Sequence, residues 1–415
     1  MPYERKIIND PVFGFINIPK GLLFDLVQHP LLQRLTRIKQ VGVSSVVYPG
    51  AQHTRFQHSL GAFHLMSEAI KHLTAKGHFI FDSEAEAVQA AILLHDIGHG
   101  PFSHVLEDTL VKGISHEEIS LLLMQQINQE MNGKLNLAIQ IFKDDYPKRF
   151  LHQLVSGQLD MDRLDYLRRD SFYTGVTEGN IGSARIIKML DIKDDHLVVE
   201  SKGIYSIENF LMARRLMYWQ VYLHKTSIAY EQMLINTLLR AKELALNGVE
   251  LFASPCLKYF LYQNIDRNAF YKDPKCLKHF IELDDNDIWT ALKVWSKHPD
   301  PILSILSSGM VNRHIFKVET STEATKPSRK EELIQQISRE LNLSRAESEY
   351  LVSTPSTEKN MYDPADDSID ILYKDGSVKN IAEASDMLDL SLLSHKVKKD
   401  YICYQRLHTQ TANIQ

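Results

Sequence analysis

With 415 residues, 44% of them hydrophobic and 24% charged, the chain has the make-up of a globular protein with room for two or three domain-sized cores. A formal net charge of -5 excludes a bulk basic field for nucleic acid or anionic lipid, so any anion must be held by a local cluster and nucleic acid is not an expected partner. Three scattered cysteines, Cys256, Cys276 and Cys403, make neither a disulfide framework nor a zinc cluster. MPYERKIIND has no apolar signal core and no aliphatic run is long enough for a bilayer, so a cytoplasmic protein without a membrane partner is expected.

Residues 6 to 19 mix β-branched and aromatic side chains about an Asn9-Asp10-Pro11 turn signal and read as a hairpin. HPLLQRLTRIKQ puts Leu31, Leu32, Leu35 and Ile38 at helical spacing, and SSVVY ahead of Pro49-Gly50 reads as a short strand. Three helices then announce themselves through capping boxes, in which a Ser or Thr and the residue three positions on satisfy each other's free backbone donors. The pairs are Thr54 with Gln57, Ser83 with Glu86, and Ser115 with Glu118. A helix is predicted around Asp162 to Asp170, then a hairpin, HLVVE-SKG-IYS, turning at Lys202-Gly203. A long helix follows from about Ser206 to the stop signal Asn247-Gly248. YFLYQNI and IWTALKVW keep the next segment helical. Beyond Met310, RHIFKVE reads as a strand, ETSTEATKPS as a polar loop and SRKEELIQQISREL as a helix, and IDILY and SVKNI form a hairpin about Lys374-Asp375-Gly376. The expected architecture is mainly α, a helical core with short β-hairpins. Its parts are 1–50 (hairpin and helix packing on the core), 51–250 (catalytic core), 251–309 (helical extension) and 310–415 (a smaller α+β lobe).

The densest chemistry lies in LLHDIGHGPFSH, where His95, Asp96, His99 and His104 fall within ten positions around two glycines and a proline. A His-Asp pair where Gly98 and Gly100 end a helix can turn both side chains to one cation, supplying nitrogen and oxygen together. Further ligands must come from elsewhere: His58 in TRFQHSLG, and Asp162 or Asp165 in LDMDRLDYLRRD. Taken singly, a helical histidine is more often a core or surface residue than a ligand, and an acidic run is often a solvated face. In a helix Asp162, Tyr166 and Asp170 share one stripe, so a metal acid, an aromatic ring and a second acid can face one pocket.

QRLTRIKQ, YPGAQHTRFQHSLG, LLHDIGHGPFSH, SHEE and LDMDRLDYLRRD, in that order, resemble the deoxynucleoside triphosphate triphosphohydrolases of the HD-domain superfamily. The likeness is close over about 6 to 250 and looser through RHIFK and YDPADDSIDIL. It implies an HD-domain helical core and metal-dependent hydrolysis of a dNTP to deoxynucleoside and inorganic triphosphate. His58, His95, Asp96 and Asp162 would hold one divalent transition metal (Mn, Fe, Ni, Co or Zn), with Mg accompanying the triphosphate. Arg55 would clasp the α-phosphate. His99, His104 and His116 would surround the scissile bond, His104 as the general acid, with Glu117 and Glu107 orienting them. Arg163 and Arg214 would bind the outer phosphates, where a forked guanidinium suits paired oxygens. Tyr166 would contact triphosphate or sugar, Gln40 and Asp170 the 3'-hydroxyl, and Val41 the sugar's side. Tyr222 would leave no space for a 2'-hydroxyl.

Leu223 stands where the family often has a glutamine near the base, so base preference does not carry over. Gln28 and Thr36 replace an acid and an arginine that read a guanine activator in the animal branch. The resemblance further implies a homo-oligomer, dimer or tetramer, either with an activating nucleotide of different specificity at subunit contacts, for instance near Lys6 and Asn9, or constitutively active. Competing functions are another HD phosphohydrolase, such as a nucleotide phosphatase or phosphodiesterase, and a non-catalytic nucleotide sensor. The pair Arg163 and Arg214 and the complete ligand set favour triphosphate hydrolysis.

Overall fold

The chain opens with the expected hairpin, β1 (Arg5–Asp10) antiparallel to β2 (Gly14–Pro19) with Ile8 opposite Ile16. Asp10 makes the turn, its Oδ1 accepting the N–H groups of Val12 and Phe13, each at 2.9 Å. This computed structural model describes residues 5–102, 104–321, 327–359, 368–386 and 397–407. Part of the polar loop predicted at ETSTEATKPS and residues 362–367 of the YDPADDSIDIL segment lie outside them.

HPLLQRLTRIKQ forms less helix than its spacing suggests. After α1 (Leu22–Gln28), α2 (Pro30–Gln33) gives way to a 3-10 turn over Arg34–Arg37. The cause is Arg34, which is 2% exposed and turned inward. It donates to the carbonyls of Ile97 (3.3 Å), His99 (2.8 Å) and Leu283 (3.3 Å). Burial pushes its guanidinium down to about 9. SSVVY is likewise a 3-10 turn, Gly42–Val46, and no strand. Ser44 N–H bonds to Val41 O and Val47 N–H to Ser44 O, so local turns override the β-branched preference.

Helix α3 (Arg55–Ala75) packs against α4 (Asp82–Leu94). Buried Ala87, Ala90 and Ala91 let α4 approach closely. There follow α5 (His104–Thr109), α6 (His116–Glu130), α7 (Asn136–Phe142), α8 (Arg149–Val155) and α9 (Met161–Thr174), the last on another face of α3. The boxes at Thr54 and Ser115 form as predicted. The third does not: Ser83 and Glu86 are exposed, and the Phe81 N–H donates to Glu84 Oε2 at 2.9 Å. Lys148 and the Tyr146 hydroxyl draw Glu84 inward, at 2.7 and 2.5 Å, and the helix starts two residues earlier, with Phe81 as its N-cap.

The second hairpin also turns elsewhere than expected. After α10 (Ser183–Met189), β3 (Leu190–Lys193) pairs with β4 (His196–Glu200). Asp194 and Asp195 turn the chain with φ of 51° and 60°, a left-handed pair that aspartate tolerates. Lys202-Gly203 instead leads into α11 (Ile204–Met217). The long helix is broken by a π-turn, Tyr218–Tyr222, before α12 (Lys225–Leu246), which ends at Asn247-Gly248 as predicted. Five helices fill Pro255–Val311. The Asp370–Leu372 and Val378–Asn380 hairpin joins β3 and β4, parallel to β4, and a second sheet pairs Lys317–Ser321 with Val397–Tyr404.

Two glycines are set by close approach. A Cβ at Gly61 on α3 would lie 1.8 Å from Asp165 Oδ1 and 2.2 Å from Arg169 Nη2, and one at Gly98 would lie 2.1 Å from His116 O. Gly61→Ala is therefore expected to cost at least ~2 kcal/mol as the α3–α9 contact is forced apart. Thermal unfolding checks this; an unchanged melting temperature would mean that the contact is slack.

Candidate metal centre and active site

Three helices bring the expected ligands together. His58 lies on the first turn of α3, His95 and Asp96 follow the end of α4, and Asp162 lies in the first turn of α9. His58 Nε2 is 3.0 Å from Asp162 Oδ1 and 3.3 Å from His95 Nε2. His95 Nε2 is 3.6 Å from Asp162 Oδ1 and 3.5 Å from Asp96 Oδ1. Metal bonds of about 2.0–2.2 Å to imidazole and carboxylate put neighbouring donors roughly 3.0–3.5 Å apart. His58, His95 and Asp162 could thus hold one divalent cation, with Asp96 at the edge of the group beside His95.

Outward-facing atoms fix the donors. His58 Nδ1 is 2.6 Å from Asp165 Oδ2, and His95 Nδ1 is 2.6 Å from the Ile92 carbonyl. Each ring therefore keeps Nε2 for the centre. Asp165 faces away from the donor cluster: Arg169 forks onto it (Nε–Oδ2 2.9 Å, Nη2–Oδ1 3.0 Å) and reaches Asp10 at 2.8 Å. Burial disfavours charge on His58, but its bonds to Asp162 and Asp165 prevail and raise it to about 10. Asp162, beside His58 and His95, is held far below the carboxylate range against the pull of burial.

Asp96 links the centre to a cationic wall. Its Oδ2 accepts from Arg55 Nη1 at 2.6 Å, and its Oδ1 is 3.2 Å from His99 Nε2. Burial, then Arg55, pushes His99 down to about 3, so at neutral pH it is an uncharged hydrogen-bonding group. His99 and His116 stack with centroids 3.9 Å apart and planes at 17°. Glu107 lies 3.2 Å from His116 Nδ1, although these three could also be grouped as metal donors. Parallel rings direct their lone pairs side by side, which suits a stacked pair better than one ion. Glu117 is exposed; the carboxylate at His116 is that of Glu107. The side chain of His104, in the first turn of α5, lies outside the described residues.

Along α9 the stripe continues. Asp160 caps the helix, accepting the Arg163 N–H at 2.6 Å and pairing with its guanidinium. Arg214 Nη1 donates to Gln158 Oε1 at 3.0 Å. Tyr166 lies within the fields of Arg163, Arg214 and Asp162, 6.1 Å from the Tyr222 ring. The π-turn, closed by Leu223 N–H to Tyr218 O at 2.7 Å, supplies Tyr222, whose hydroxyl donates to Asp170 Oδ2 at 2.6 Å. Burial and Asp170 push that phenol well above its ordinary value. Gln40 donates its N–H to His53 O at 3.0 Å, and Val41 precedes the Gly42–Val46 turn. Gln40 Oε1, His53 Nδ1, His99 Nδ1, Arg163 Nε and Arg214 Nε are buried without a partner among the described residues. Buried polar atoms are seldom left so, and water, an ion or a ligand completes them.

Sequence reasoning missed His53. Its Nε2 is 2.6 Å from Asp170 Oδ1 and its ring stacks on Tyr173 at 4.4 Å. A single histidine ahead of a capping box has no spacing that marks it. Asp10 and Arg169 were missed too, because their link spans 159 positions.

Known proteins resemble this chain in sequence and in fold. The HD-domain family model matches residues 55–167, and a model described as an HD associated region matches 181–251. The uncharacterized protein YwfO of Bacillus subtilis is 33% identical over 76% of this chain and 72% of its own. The deoxynucleoside triphosphate triphosphohydrolase SAMHD1 homolog of Dictyostelium discoideum is 30% identical over 58% of this chain, which spans half of that protein. A phosphohydrolase crystal structure from Bacteroides thetaiotaomicron superposes with a TM-score of 0.95 at 79% identity, covering 97% of this chain and all of the other.

Asp162→Ala is expected to lose bound metal, whereas Asp165→Asn should keep it with affinity lowered about 10–100-fold. An entering cation must displace the proton that His58 holds below about pH 10. Apparent affinity should therefore rise with pH, by up to ~100-fold from pH 6.5 to 8.5. Metal-buffered titration reads both; affinity independent of pH, or equal for the two variants, contradicts the assignment.

Proposed function

Because the chain belongs to the HD-domain phosphohydrolases, we propose that it hydrolyses deoxynucleoside triphosphates to deoxynucleoside and inorganic triphosphate. The observation that carries this reading is that Tyr166, one turn beyond Asp162, lies within the fields of Arg163, Arg214 and Asp162, while Arg55 binds Asp96 and Tyr222 binds Asp170. Two or more guanidiniums suit a triphosphate better than a monophosphate.

His58, His95, Asp96 and Asp162 would hold a divalent metal (Mn, Fe, Ni, Co or Zn), which would supply Lewis-acid polarisation. Arg55, anchored on Asp96, faces charge growing on the α-phosphate. Neutral His99 gives its one N–H to Asp96 and stands beside the scissile bond, and the stack on His116 fixes its plane. Arg163 and Arg214 hold the β- and γ-phosphates, whose Mg accompanies them. Water gives up one proton to solvent as its oxygen bonds to the α-phosphorus, the bond from that phosphorus to O5' breaks, and His104 delivers a proton to O5' and is reprotonated from solvent. Gln40 and Asp170 take the 3'-hydroxyl, Val41 flanks the sugar, Tyr166 packs along the sugar and phosphates, and the Tyr222 ring excludes a 2'-hydroxyl.

A separate basic cavity of about 700 Å³ is lined by Lys225, Arg313, His314, Lys317 and Arg406. Its cations suit an activating nucleotide; such a nucleotide at contacts within a homo-oligomer is part of the same proposal. No described helix is long and apolar enough to cross a membrane, and a cytoplasmic setting suits a dNTP substrate.

Purified protein with Mn²⁺ and each dNTP should release triphosphate, and Arg163→Ala should lower kcat/KM about 100-fold, the scale of one lost charged phosphate contact. Ion-exchange chromatography of products decides it. Monophosphate and pyrophosphate, or no turnover, would reject the reading, as would an Arg163→Ala enzyme of unchanged activity.

A further inference from the structure

His53 joins the two groups that the proposed function places at the sugar hydroxyl. Its carbonyl accepts the Gln40 N–H at 3.0 Å, and its Nε2 lies 2.6 Å from Asp170 Oδ1. The side chain is fully buried. The ring stacks on Tyr173 at 4.4 Å and 15°, which fixes its plane, and Tyr173 itself accepts from Gln57 Nε2 at 3.2 Å. Gln57 is the partner in the α3 capping box that opens on Thr54, so His53 is clamped through both its backbone and its ring.

Asp170 is held from two sides, by His53 on Oδ1 and by the Tyr222 hydroxyl on Oδ2, both at 2.6 Å. A carboxylate offers about four lone-pair directions. Two are used by protein donors, and the remaining ones are aimed by where those donors stand. An Asp170 tethered only by Tyr222 could rotate about its terminal torsion, which is broad. With His53 in place that rotation is closed. Gln40 Oε1, on the residue bonded to the His53 carbonyl, is buried with no partner among the described residues.

We infer that His53 is the positioning residue that makes the site selective for a 3'-hydroxyl on its nucleotide, by holding Asp170 and the Gln40 backbone in register. The inference rests on the proposed nucleotide reading of the cleft. His53 touches no reacting atom.

The test compares a 2'-deoxy with a 2',3'-dideoxynucleoside 1-thiotriphosphate of the same base. Both resist hydrolysis, so calorimetry on the metal-loaded full chain reads binding apart from turnover. Wild type should bind the deoxy ligand at least tenfold more tightly. His53→Phe keeps the ring stack and the carbonyl while removing the donor, and His53→Asn keeps a shorter donor. Both should lose most of that preference while binding the dideoxy ligand within about twofold of wild type. Asp170→Asn should lose the same preference, and the double variant should lose little more, because residues acting through one contact are non-additive. Equal weakening toward both ligands, additive losses, or a wild type with no 3'-hydroxyl preference overturns the inference. Preference present without any dNTP turnover overturns the hydrolysis reading alone.

Discussion

His58 presents Nε2 to the centre because Asp165 holds its Nδ1 at 2.6 Å, and Asp165 can be buried beside it only because Arg169 compensates its charge. Arg169 is in turn balanced by Asp10 at 2.8 Å. Asp10, Asp165, Arg169 and His58 are all buried, and an isolated charge so desolvated would be untenable. The run therefore stands as a unit. It ties the amino-terminal hairpin to α9 and α9 to α3, and it requires the bare backbone of Gly61, where any Cβ would collide with Asp165.

The same logic orders the other half of the cleft. Arg34 spans the carbonyls of Ile97 and His99 and that of Leu283, so the loop after α4 is pinned by a segment more than sixty residues upstream. Gly98 lets α6 close on that loop: its N–H donates to Ser120 Oγ at 2.9 Å, and that hydroxyl donates to the His95 carbonyl at 2.7 Å. Donor atoms placed this way lose little freedom when a ligand arrives, which is the physical content of a preorganised site.

Local chemistry was legible in the sequence where it is short-ranged. The Asn9-Asp10-Pro11 turn, the boxes at Thr54 and Ser115 and the Asn247-Gly248 stop depend on neighbours within a few positions. The HD pair and its companions were readable because the residue types and their order resemble a family pattern. What was not legible depends on distant partners. Phe81 and Glu84 replace Ser83 and Glu86 at the start of α4 because Lys148 and Tyr146 reach Glu84 from about sixty positions away. SSVVY becomes a turn because no strand pairs with it, and the His53–Asp170 contact spans 117 positions. The Lys202-Gly203 signal lost to Asp194-Asp195 because two aspartates in left-handed conformations fit a tight hairpin just as well.

The central claim is nucleophilic attack at the α-phosphorus by water activated in this cleft. Turnover of a dNTP in ¹⁸O-enriched water, followed by ³¹P NMR of the products, tests it most directly. One ¹⁸O is expected in the terminal phosphoryl group of triphosphate that was the α-phosphate, with none in the deoxynucleoside. Label in the deoxynucleoside, or in orthophosphate or pyrophosphate, would contradict it.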